Sequence, residues 1–263
     1  MAKKEETKEL EKAAAAGLPA EMPENWGNDE AINPGERLVP KLHLMQGQSK
    51  LVAEEKAKMG DIANLVTGEV LGDSKNPVEF IPVKKLPSTW VVYDRVDSGK
   101  NDGQTKRQFK EIVEVGPGNM GWEWTVKDVN GKVIRENDYS INFLVLATKD
   151  SRMPLVLSFK RTSVKAGKKI VNHFDMCKID GVPPASKALK LLAVKEMKDG
   201  QPYFRFDIDP STRPSTKEEM MKAWEFFKLY KDQEVKIDNS DLMDPDLDST
   251  HTVDAEVSET SQY

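Results

Sequence analysis

Phe159-Lys160-Arg161-Thr162-Ser163-Val164-Lys165-Ala166-Gly167-Lys168-Lys169-Ile170 gathers five cations within ten residues. Residues 152–178 hold seven basic side chains and a single acid, Asp175. Helical spacing over 162–174 puts Val164, Gly167, Ile170, Val171 and Phe174 on a core face. Lys165 and Lys169 then project together, with Lys168 alongside and Lys160 and Arg161 at the exit of the preceding strand. Cations so concentrated on one rim make an anion site, and a flexible polyanion is its natural occupant. Trp90, Tyr93, Trp122 and Trp124 fall on expected strands beside Lys84, Lys85, Arg95 and Lys127. Rings of this kind can stack on bases whatever their identity, at roughly 1–3 kcal/mol each. Trp122 and Trp124 share strand parity and so point to one face.

The charge is divided along the chain in a way that fits such a site. Residues 31–237 hold 35 basic and 28 acidic groups, a net of +7, whereas 238–263 hold eight acids and no base. A basic body with an acidic end is suited to binding a polyanion while carrying a detachable surrogate for it. The end has few large apolar side chains and one sign of charge, so disorder is expected there. Asp244, Asp246, Asp248, Asp254, Glu256, Glu259 and Tyr263 are its candidate partner-binding residues.

Other chemistries find less support. Gly116-Pro117-Gly118-Asn119-Met120-Gly121 matches a dinucleotide loop in letters, but Trp122-Glu123-Trp124-Thr125-Val126-Lys127 alternates behind it where a helix would have to start. His43, His173 and His251 are far apart, and His173 with Cys177 is too few ligands for zinc. Asp244, Asp246 and Asp248 open like a calcium loop, yet Ser249 and Ala255 stand at the positions of its glycine and its bidentate glutamate. No cofactor, metal or catalytic group is therefore expected. A lone cysteine fits a reducing cytoplasm, and no apolar run approaches the roughly 18 residues of a membrane span.

The elements that must hold these residues read as mostly strands. Residues 1–35 form a flexible arm, 36–232 the ordered domain and 233–263 a disordered acidic tail. A short helix over 50–58 stops at Gly60. Strands are expected at 62–71, 78–83, 89–93, 109–115 and 122–129, with a hairpin turn at Asn130-Gly131. The apolar run 141–147 is a strand buried on both faces, followed by 155–159, the helix at 162–174 and a pair at 189–196 and 203–208. Ser215 and Glu218 form a capping box for a last helix to about 230, with Met220, Met221, Trp224, Phe226 and Phe227 as its apolar face. The fold class is mainly β (α+β), an OB-like barrel with insertions, a helix between strands and a C-terminal helix.

The strand–cation–helix segment and the acidic end together resemble single-stranded DNA-binding proteins of tailed bacteriophages. The matching pieces are Leu38-Val39-Pro40-Lys41-Leu42, Asn64-Leu65-Val66-Thr67-Gly68-Glu69-Val70 and the block from Pro154-Leu155-Val156-Leu157-Ser158 through Lys168. The likeness covers about 36–210. It implies an oligonucleotide/oligosaccharide-binding barrel that coats single-stranded DNA in phage replication or recombination, inside the infected bacterium. The tail would recruit replication or recombination proteins, with no membrane partner. Two other readings stay open. Asp207 and Asp209 could serve a magnesium-dependent phosphoryl-transfer enzyme or nuclease accessory, and the acidic end could mimic DNA to occupy a host enzyme. The oligomeric state is open as well.

Overall fold

The computed structural model describes residues 38–97, 105–149, 152–198 and 200–232, together with 235 and 237. Among the described residues, eleven strands form one open mixed sheet. They are β1 (Lys41–Leu44), β2 (Ile62–Asn64), β3 (Val70–Gly72), β4 (Val78–Lys85), β5 (Thr89–Asp97), β6 (Thr105–Glu114), β7 (Thr125–Lys127), β8 (Val133–Ala147), β9 (Leu155–Lys160), β10 (Lys187–Lys198) and β11 (Gln201–Pro214). Helices α1 (Lys50–Ala53), α2 (Val164–Asp180) and α3 (Lys217–Tyr230) complete the described part. None of these helices is long and apolar enough to cross a membrane. The arm expected over 1–35 lies outside the described residues. So does most of the expected tail, although Val235 and Ile237 pack on the domain's core.

β8 organises the sheet. Its C-terminal half lies between β4 and β9, and its N-terminal half between β5 and β7. β4 and β5 run along the same side of β8, Lys85 opposite Phe143 and Thr89 opposite Ser140, separated by a break at Leu86-Pro87-Ser88. Proline cannot donate to a ladder, so the break at Pro87 is where one strand becomes two. The run 141–147 is buried on both faces as expected. Ile141, Phe143 and Val145 meet the α2 layer, while Leu144 and Leu146 meet the α3 layer. β1 pairs with β9 in parallel, and the other named pairs are antiparallel.

Local signals held where the residues themselves form the contacts. Gly131 adopts φ +79° in the β7–β8 turn, and Asp128 accepts from the backbone N–H groups of Asn130 and Lys132. The middle helix begins at Val164 and reaches Asp180, longer than expected. A Cβ at Gly167 would lie 3.0 Å from Phe159 Cβ and 3.2 Å from Ile141 Cβ, so glycine lets α2 approach the sheet. The last helix keeps its capping box one residue later than expected, on Thr216 and Glu219. Ser215 is held instead by its N–H to the Ser186 carbonyl, 3.0 Å. Two expected elements shrank: the 50–58 helix is a single turn, and the 122–129 strand is only β7.

Candidate nucleic-acid interface

The cation segment divides between three directions. Phe159 points to the α2 side of the sheet, so strand alternation sends Lys160 to the other face. There it lines a shallow pocket with Lys41, Ser140, Asn142, Ser158 and Ile237. Lys169 is also diverted: its ammonium donates to Asp207 Oδ1 at 2.6 Å and to the Ile208 carbonyl at 3.2 Å, both on β11. The expected grouping of Lys160 and Lys169 with the others is thus corrected. Lys165 and Lys168 stand on adjacent turns of α2, exposed and with no ion pair among the described residues.

Arg161 is built in rather than merely exposed. It takes a left-handed conformation, φ +47°, in the 3₁₀ turn Arg161–Ser163 between β9 and α2. Such a backbone is strained for a side chain with a Cβ and persists where its surroundings determine it. Here Nε donates to both carboxylate oxygens of Asp138 on β8, 2.9 Å each. Asp138 is buried and also accepts from Arg107 Nη2 at 2.9 Å. Burial pushes the Asp138 carboxyl up while Arg107 pulls it down, so its charge depends on its partners. Arg107 continues to Glu136 at 3.0 Å, and Glu136 to Arg95. With Nε committed to Asp138, 43% of the Arg161 side chain is still exposed, and its Nη groups have no acceptor among the described residues.

The aromatic residues also separate. Trp90 is buried, donates Nε1–H to the Asn119 carbonyl at 3.0 Å, and has ring centroids of Tyr139, Trp122 and Trp124 at 5.2, 6.3 and 6.4 Å. Tyr93 is buried too, with the Arg107 guanidinium 3.8 Å above its ring and Phe109 against its edge. Neither ring can offer a face to a base, which corrects both expectations. Trp122 is half-buried and Trp124 is 48% exposed, beside an exposed Met120. These two tryptophans precede β7 rather than lie on a strand. Asn137 holds their backbone, donating Nδ2–H to the Glu123 carbonyl and its own N–H to the Trp124 carbonyl, while the Asn119 amide closes the glycine turn ahead of them through Gly116 N–H and the Glu114 carbonyl.

Three consecutive β8 residues therefore hold both halves of the site. Asn137 fixes the tryptophan loop, Asp138 fixes Arg161, and Tyr139 touches Trp90 while packing on the core beneath α2. None of the three stood out in the sequence. An acid among alternating residues at the start of a long strand is the trace they leave.

The remaining candidates are spoken for. Burial works upward on Asp207, but Lys169 and Arg205 outweigh it and hold the carboxyl below its ordinary value; Asp209 accepts from Ser211. No group of three or more His, Cys, Asp or Glu able to hold a metal occurs among the described residues. Cys177 is buried, which pushes its thiol up, and His173 contacts the Pro184 carbonyl at 3.0 Å. Asp244, Asp246, Asp248, Asp254, Glu256, Glu259 and Tyr263 lie outside the described residues.

A family model described as Pam3 phage gp34-like protein matches residues 6–236. No curated protein and no solved structure matches the chain.

Proposed function

The chain belongs to the Pam3 phage gp34-like family, and we propose that it is a non-enzymatic phage protein that coats single-stranded DNA without strong sequence preference. The family's name points to a bacteriophage. The observation that carries the DNA reading is the Asp138-anchored Arg161, followed along the chain by Lys165 and Lys168, with the Trp90–Trp122–Trp124 cluster held by the adjacent β8 residues Asn137 and Tyr139. Arg161 supplies a pre-oriented guanidinium edge for a phosphate. Lys165 and Lys168 supply mobile charges along the backbone, and Trp124, with part of Trp122, supplies ring surface for unstacked bases. This division suits a flexible strand better than a duplex, whose bases are stacked away from such a ring.

The long strand β8, shared by two sets of neighbours with β4 and β5 meeting along it at the Pro87 break, supports an OB-like curl within the sheet. On this reading the acidic tail recruits replication or recombination proteins in the cytoplasm of the infected cell. A labelled dT oligonucleotide challenged with unlabelled poly(dT), duplex DNA and RNA tests the proposal. Poly(dT) is expected to compete best. Equal competition by duplex, or no binding by the folded protein, overturns it.

A further inference from the structure

α3 turns Ala223, Phe226, Phe227 and Tyr230 toward the core on the side of the sheet opposite α2. Lys84 fixes the end of the helix, donating to the carbonyls of Tyr230 at 2.6 Å and Lys231 at 3.0 Å. The outward face is unusual. Met221 and Trp224 are 56% and 57% exposed, and helical spacing puts Lys217 and Lys228 in line with them. The Trp224 ring stacks on Phe227, centroids 5.6 Å apart and planes at 17°, with the Lys228 ammonium 5.9 Å from its centroid. The indole is thus held in position while more than half of it faces outward.

We propose that this face docks a segment of the same chain, Asp241-Leu242-Met243-Asp244-Pro245-Asp246-Leu247-Asp248. That segment lies outside the described residues. Its three large apolar side chains match Met221 and Trp224, and its four aspartates match Lys217 and Lys228. Methionine on the receiving face adapts to whatever it packs against. Reach favours the contact as well. Val235 and Ile237 pack on the same core as α3, and Ile237 bridges to Val39. The segment begins four residues later, and 4–11 extended residues span roughly 13–36 Å, against about 21 Å for a 14-residue helix. A tether this short gives an effective concentration in the millimolar range, so a weak contact is populated. Nucleic acid is the poorer occupant. α3 carries Lys217, Lys222 and Lys228 against Glu218, Glu219 and Glu225, so it has no net field to attract a polyanion. Docking here keeps the first aspartates away from the α2 cations and leaves Asp254, Glu256 and Glu259 to extend beyond the contact. The inference does not depend on the DNA reading.

A nitroxide on Ser249→Cys in the full chain tests it, Cys177 being buried and out of the label's reach. The Trp224 indole and Met221 methyl NMR signals, assigned by Trp224→Phe and Met221→Leu, are expected to lose at least half their intensity. The Trp90 indole signal is expected to keep its intensity. Adding Leu242→Ser and Leu247→Ser, which leave every described residue intact, is expected to restore the lost signals. Unchanged Trp224 and Met221 signals overturn the proposal. So does broadening that lands on Lys165 and Lys168, or broadening that arises between labelled and unlabelled chains, which makes a second copy the occupant.

Discussion

Lys165, Lys168 and Lys169 are equivalent in a linear count of charge and different in the fold, so mutating them separately tests the interface. On a single strand each phosphate contact contributes about 0.7 of a unit to the log–log salt dependence. Replacing Lys165 and Lys168 by Ala is expected to flatten the slope by about 1.4. If the lines for the two proteins meet near 1 M salt, the double variant binds about 25-fold more weakly at 0.1 M, since ten raised to 1.4 is about 25. Both side chains are exposed and outside any ion pair among the described residues, so melting should be unchanged. Lys169→Ala is expected to do something else. Its ion pair with Asp207 is half-exposed on the lysine side, and Asp207 keeps Arg205 at 3.2 Å, so the loss is at most about 1 kcal/mol of stability. Its salt slope should match that of the unmodified protein. Fluorescence anisotropy of a labelled dT oligonucleotide across a salt series reads both quantities. If Lys169→Ala flattens the slope as much as one of the other two does, DNA draws Lys169 from Asp207 and the assignment is refuted. An unchanged slope in the folded Lys165→Ala, Lys168→Ala protein removes α2 from the interface.

Trp124→Ala should leave the melting curve within about 1 kcal/mol of its original position while costing roughly 1–3 kcal/mol of DNA affinity. Trp90→Ala should instead cost about 3–5 kcal/mol of stability, and the reverse pattern in denaturant titrations and binding would exchange their roles. Asp138→Asn leaves Arg107 with Glu136 but releases Arg161, so about 1–3 kcal/mol of stability is expected to go. That corresponds to a melting point roughly 2–10 °C lower, and a drop in DNA affinity should accompany it; intact affinity would show that Arg161 needs no anchor. The hydrogen bonds from Arg213, against the opposing effect of burial, hold the Glu219 carboxyl below its ordinary value, with Thr216 adding to the shift. A depressed carboxylate stabilises the fold above its unfolded pKa, and that contribution is lost as pH falls through the folded one. Glu219→Gln should therefore flatten the acid side of the stability curve below about pH 5. An unaltered curve would mean that the α3 cap does not titrate.

The parts of this fold that were legible in the sequence are those whose determinants are close together along the chain. Asn130-Gly131 specifies its own turn, the run 141–147 announces burial on both faces, and Gly167 within a helical apolar stripe marks close packing. Misreadings arose where a partner lies far away in sequence. A window around 152–178 shows almost no acid, yet Lys169 finds Asp207, 38 residues on, and Arg161 finds Asp138, 23 residues back. Trp122-Glu123-Trp124 alternates like a strand, but the Asn119 carbonyl takes the Trp122 N–H in a turn and the Asn137 side chain takes the Glu123 carbonyl, so the ladder starts only at Thr125. Trp90 and Tyr93 look like any strand aromatics until the neighbours that cover them are known. Composition supplies the side chains, while sheet register decides which of them remain free.

Register also explains why the core and the candidate site cannot vary independently. Alternation along β8 sends Asn137 and Tyr139 to the side of α2 and the tryptophans, and Asp138 to the side of Arg107 and Tyr93. A slip of one residue would exchange these faces, leaving Arg161 without its carboxylate and Trp90 without Tyr139. What prevents the slip is the other half of the same strand. Phe143 and Val145 fit the α2 layer and Leu144 and Leu146 the α3 layer, so a shift would misplace both sets at once. The β8 residues that position the candidate site are therefore aligned by packing that lies four to nine residues further along it. A substitution such as Phe143→Ala, far from any surface, is for that reason expected to loosen Arg161 and Trp124 along with the core.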